Sequence, residues 1–183
     1  MMPRRKTFFI HVGKTGGSSF NRFLGSHWRG DEHCEKHRAA GKPGRFADLA
    51  ALTQLDYISG HLLIGEFRSN FERGEYVLVT LLRDPFDHVV SHLNWIHYLG
   101  LDQTAPRFTN LHPVIQRITR SVAQSDLTDP DVLMHLLSEH RALFLNHQSR
   151  YFSSRNPPDA AEAIATLTEF DLVGTTEAYD DFL

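Results

Sequence analysis

A lysine, two glycines and two serines follow directly on an apolar run in FIHVGKTGGSS, residues 9–19. Glycine lets a backbone approach its ligand, the first N–H groups of a helix converge on an anion, and the lysine adds a full charge. Such a strand-to-helix turn suits a terminal phosphate or sulfate, with Lys14, Thr15, Gly16, Gly17, Ser18 and Ser19 as the candidate binding residues. A nucleoside-triphosphate loop of the Gly-x4-Gly-Lys-[Ser/Thr] type would need glycine where Phe8 stands. The plain structural alternative is a glycine-rich turn capped by Ser18.

A second candidate lies in LLRDPFDHVVSHLNW, where Arg83 ends an apolar run and Ser91 falls in the segment behind it. A guanidinium fork and a hydroxyl suit another phosphate. The alternative is an Arg-Asp turn followed by an ordinary helix serine. Two anion pockets on one sheet rim point to a ligand with phosphates at two places, as in a 3'-phosphorylated nucleotide. His61, in SGH, is the candidate general base, because a neutral imidazole accepts a proton near neutral pH; Glu66 is the reserve. The structural alternative for His61 is a turn histidine bonded to backbone. His88 and His92 stand at i, i+4, a spacing used by zinc ligands, but without the glutamate of HExxH or an evident third ligand. Arg150 and Tyr151 in SRYF could contact a ligand or close a helix end.

The elements that must position these residues follow from periodicity. Residues 6–12 and 76–82 read as buried strands, the second an uninterrupted YVLVTLL suited to the middle of a parallel sheet. Shorter strands are expected at 57–59 and 171–173. Helices are expected at 18–26, at 85–99 with Pro85 opening and Gly100 stopping it, and at 113–124, 130–146 and 157–168, with another beginning at Thr176-Glu177. Residues 29–48 read as a solvated loop or short helix, and 101–109 as a loop. Strands alternating with helices predict an α/β fold, a P-loop-like three-layer domain whose central, mainly parallel sheet is flanked by helices, with ligands at the carboxyl ends of the strands.

The chain has 183 residues, which predicts one domain over 1–183. Its formal net charge of -3 excludes a general basic surface, so nucleic acid is not an expected partner and any anion site must be a local concentration of charge. One cysteine, Cys34, cannot make an intramolecular disulfide. The basic start MMPRRK runs into the first strand without the apolar core of a signal peptide, and no window approaches the roughly 18 apolar residues of a spanning helix. A soluble, cytoplasmic protein without a membrane span is expected.

FIHVGKTGGSS followed by RDPFDHVVSHLNW resembles the carbohydrate sulfotransferases that use 3'-phosphoadenosine 5'-phosphosulfate (PAPS), in particular the heparan sulfate 2-O-sulfotransferase-like branch and its bacterial relatives. YISGHLLIGEF, LNHQSRYFS and FDLVGTTEAYDDFL resemble further blocks of that family, in order along the chain. Gly13 stands where many relatives have Pro, and Ser18 where many have Thr. The resemblance implies that residues 14–19 hold the 5'-phosphosulfate and that Arg83 and Ser91 hold the 3'-phosphate. It further implies that Lys14 acts on the leaving oxygen and His61 as base, and that the acceptor is a carbohydrate hydroxyl and no metal is needed. Relatives are expected to continue beyond the position of Leu183 with a segment that encloses the nucleotide or acceptor. Two other readings stay open: a P-loop-like small-molecule kinase, which would require Mg²⁺ and a carboxylate to hold it, and a truncated nucleotide-binding domain that does not turn over.

Overall fold

The long apolar runs become strands buried on both faces. The computed structural model describes residues 5–27, 34–36, 52–53 and 55–182. Five strands, β1 (Lys6–Ile10), β2 (Cys34–Lys36), β3 (Tyr57–Gly60), β4 (Tyr76–Leu82) and β5 (Leu172–Thr175), form one sheet in the order β2-β3-β1-β4-β5, every neighbouring pair parallel. In chain order the helices are α1 (Gly17–His27), α2 (Ile64–Asn70), α3 (Pro85–Leu101), α4 (Pro106–Thr109), α5 (Pro113–Gln124), α6 (Pro130–Glu139), α7 (Arg141–Phe144), α8 (Ala160–Leu167) and α9 (Tyr179–Phe182). The chain divides into two units, one reaching Asp84 and resuming at Gln148, the other spanning Pro85–His147.

The first unit has the three layers of the expected α/β fold. Period-2 alternation sends Phe8, Ile10, Ile58 and Leu78 to one face, where Ile64 and Phe67 of α2 and Ala163 of α8 cover them. It sends Phe9, Tyr57, Val79 and Leu81 to the other, against Phe20, Phe23 and Leu24 of α1 and Tyr179 of α9. The chain therefore leaves β1 toward one face and β3, its neighbour, toward the opposite face. Their loops diverge at the carboxyl ends of the strands, which is how an open parallel sheet makes a crevice. Thr80, within the apolar run of β4, donates its hydroxyl to the Ile10 carbonyl at 2.9 Å and ties the end of β1 to β4.

The second unit is helical, around Ile96, Val122, Leu136 and Phe144. Helix α3 does not stop at Gly100 but runs on to Leu101. Gly100 serves close packing instead: a Cβ there would fall within contact distance of the Thr119 carbonyl oxygen and the Ala123 side chain, both on α5. The helix expected over 130–146 breaks at His140 into α6 and α7. Strand β2 and helices α2 and α4 differ from expectation. β2 has three residues inside the stretch read as a loop or short helix, whose other residues lie outside those described. α4 takes up the end of the stretch 101–109 read as a loop, and α2, like α4, is too short for periodicity to announce it. Among the described residues no helix is long and apolar enough to cross a membrane.

Since the atom facing Gly100 is backbone and cannot swing away, Gly100→Ala is expected to destabilise the fold by about 1–3 kcal/mol, the usual cost of overpacking. Urea unfolding at an unchanged midpoint would show that the α3–α5 approach is looser than this.

Candidate active site

Between β1 and α1 the backbone turns through two residues in the left-handed region, Lys14 at φ 69° and Gly16 at φ 76°. Glycine adopts that conformation freely, whereas for lysine it costs on the order of 1 kcal/mol, the kind of local strain that gathers at ligand sites. The turn delivers the start of α1 with its amides open. Among the described residues, the N–H groups of Thr15, Gly16, Gly17 and Ser18 donate to no other residue, and the first intrahelical bonds are those of Ser19 and Phe20 to the Gly16 carbonyl. Gly16, Ser18 and Ser19 are exposed. Thr15 is fully buried and its hydroxyl donates to the Val12 carbonyl at 2.9 Å, so that side chain shapes the loop and leaves only its backbone to a ligand.

Parallel pairing of β1 with β4 places Arg83, just past the end of β4, beside this loop. The Lys14 amine is held below its ordinary pKa, first by burial and then by the positive charge of Arg83. The buried Nε of Arg83 finds no hydrogen-bond partner among the described residues. Two neighbouring cations, one with a buried donor unused, form a site with the chemistry to take an anion. Ser91 is half-buried on α3 and belongs to the helical unit, so it is not counted into this cluster.

His61 follows the last residue of β3, on the other side of β1. Its Nδ1 lies 2.6 Å from the His11 carbonyl, which can only accept, so Nδ1 carries the proton and Nε2 is the basic nitrogen of the neutral ring. The Tyr151 hydroxyl is 3.4 Å from the same Nδ1. The backbone bond foreseen as a merely structural role thus also fixes the tautomer a base needs. A Cβ on Gly13 would lie 3.7 Å from His61 Cε1, which places the imidazole against the loop itself. Glu66 is spent elsewhere, capping α2 by accepting from the Leu63 N–H at 2.7 Å.

Several residues of the site went unassigned in the sequence. The ring of His11 stacks on Phe9 and lies 4.5 Å, centroid to centroid, from that of His61, and it fills the space a Cβ on Gly17 would need. Its signal was available: a polar residue interrupting FFI-H-V. Thr176 and Tyr179 lie against Gly16, and Glu177 accepts from the Asp84 N–H at 3.0 Å, a bond that holds its carboxyl below the ordinary pKa. Gln148 bonds both backbone groups of Arg83. Nothing in local sequence pattern marks these contacts. His88 and His92 are joined within the helical unit by His147, with ring centroids 4.9–5.9 Å apart. Among the described residues no group of three His, Cys, Asp or Glu is placed to hold a metal ion.

Comparison with protein-family models, with curated proteins and with solved structures finds no match to this chain.

Replacing Arg83 by Ala removes one of the two causes that depress Lys14, so the Lys14 amine in Arg83→Ala is expected to titrate at higher pH than in the parent chain. Carbon-detected NMR titration of the lysine ε-methylenes reads this directly; an unmoved Lys14 would show that the two cations are not neighbours.

Proposed function

We propose that this chain is a sulfotransferase that moves a sulfuryl group from PAPS to a hydroxyl, the acceptor being a carbohydrate. The observation that carries the reading is the pairing of Lys14 and Arg83 at the carboxyl ends of adjacent strands, beside the open start of α1. The donor presents a phosphosulfate at one end and a 3'-phosphate at the other, and in this reading Lys14 takes the first and Arg83 the second. A resemblance carried by residues 9–19 and 83–95 supports the same class.

In this mechanism the acceptor hydroxyl gives its proton to His61 Nε2 as its oxygen attacks sulfur. The bond between sulfur and the bridging oxygen breaks, and the electron pair leaves with the 5'-phosphate of adenosine 3',5'-bisphosphate. Lys14 and the amides of residues 15–18 neutralise the charge that develops on the leaving oxygens, while Arg83 anchors the 3'-phosphate. The His11 carbonyl keeps Nδ1 protonated, so the imidazolium that forms remains bonded on that side.

Calorimetric titration with adenosine 3',5'-bisphosphate in the absence of metal is expected to give saturable binding. Lys14→Ala and Arg83→Ala should each weaken it roughly ten- to a hundredfold, the size of a charged hydrogen bond. His61→Ala should leave that affinity unchanged while lowering kcat of sulfuryl transfer by about 10²–10⁴. Preference for ATP with Mg²⁺ over the bisphosphate would overturn the assignment in favour of a kinase.

A further inference from the structure

Arg83 can anchor a phosphate only if its backbone is held still, and past the end of β4 the sheet ladder no longer does this. The side chain of Gln148 takes over. The Arg83 N–H donates to Gln148 Oε1 at 2.9 Å, and Gln148 Nε2 donates to the Arg83 carbonyl at 2.7 Å. One amide thus satisfies both backbone groups of one residue, as a strand partner would. Only a carboxamide carries the acceptor and the donor together at that reach; a carboxylate offers two acceptors and an alanine neither.

The neighbours show what this clamp serves. The next residue, Asp84, is held by the Glu177 carboxylate through its N–H at 3.0 Å, so two consecutive residues at this strand end are fixed by side chains from the returning chain. The backbone carbonyl of Gln148 opens the 3-10 turn Ser149–Tyr151 by accepting from the Tyr151 N–H at 3.1 Å, and the Tyr151 hydroxyl lies 3.4 Å from His61 Nδ1. A single residue, through its side chain at one end and its backbone carbonyl at the other, therefore links the residue proposed to bind the 3'-phosphate with the turn that flanks the proposed base.

We infer that Gln148 is the positioning residue of the anion pocket, holding the Arg83 backbone so that the guanidinium meets the phosphate preorganised. This rests on the reading that Arg83 binds a phosphate of the donor. A carboxylate in place of the amide would do more than loosen the clamp. It would set oxygen against the Arg83 carbonyl and offer the guanidinium an internal anion in competition with the ligand.

The test is a double-mutant cycle on adenosine 3',5'-bisphosphate binding, by calorimetry, with Gln148→Ala, Arg83→Ala and the pair, and with Gln148→Glu as a second replacement. Gln148→Ala is expected to weaken binding about tenfold and Gln148→Glu more, whereas adding Gln148→Ala to Arg83→Ala should change nothing further, because the amide acts through that arginine. Wild-type affinity in Gln148→Ala overturns the inference. So does a loss of equal size in the Arg83→Ala background, which would mark general damage to the fold. Should the wild-type chain not bind the bisphosphate, or Arg83→Ala bind it as tightly, the functional reading fails, and ligand-free amide exchange of Arg83 decides about the clamp. Exchange about tenfold faster in Gln148→Ala upholds it; exchange in Gln148→Ala equal to wild type overturns it.

Discussion

The parallel pairing of β1 with β4 is the constraint on which the site depends. Its register aligns Ile10 with Thr80, and the Thr80 hydroxyl reinforces it by bonding the Ile10 carbonyl. The chain must then emerge from both strands at one rim, and what emerges is Lys14 from one and Arg83 from the other. Two positive charges do not approach each other of their own accord, and the Lys14 pKa is lowered first by burial and then by the Arg83 charge. The energy comes from the buried faces of the sheet, where Phe8, Phe9, Ile10, Leu78, Val79 and Leu81 are almost wholly removed from water. An anion in the site relieves a repulsion that the core enforces in its absence.

Around that pair, the rest of the site is assembled from parts distant in the chain. His61 arrives from β3 and is oriented by the carbonyl of His11, just past the end of β1 beside it. The returning segments at 148–151 and 175–179 supply Gln148, Tyr151, Glu177 and Tyr179, which brace residues of the strand ends and the loop. A long excursion separates Arg83 from Gln148, and Pro85–His147 folds meanwhile around an apolar core of its own.

The histidines show how one residue can satisfy a structural and a chemical account together. A histidine bonded to backbone is the plainer reading of His61, yet a carbonyl partner on Nδ1 is also what sets Nε2 as the basic nitrogen. His88 and His92 had an i, i+4 spacing and no third member in sequence; the fold brings His147 to them. Proximity of rings is not convergence of ring nitrogens, and the cluster packs the helical unit between His92 and Phe144.

The sequence by itself determined the α/β class, the two central strands, the strand-to-helix turn at residues 13–17 and the helix at 113–124, because each is written in local periodicity, in glycine and proline placement and in uninterrupted apolar runs. It also marked Lys14, His61 and Arg83, since charged and polar residues at the ends of apolar runs stand out where strands stop. It did not show β2 or α2, which are too short for a period to emerge, nor that Gly100 is small for the sake of α5 instead of stopping a helix. Only the tertiary structure decided that Thr15 turns inward to Val12, that Glu66 caps a helix, that His11 lies between Gly17 and His61, and that Gln148 clasps Arg83. Those are contacts between residues far apart in the chain or turned by a particular φ, and their strength depends on burial and direction, which residue order alone does not carry.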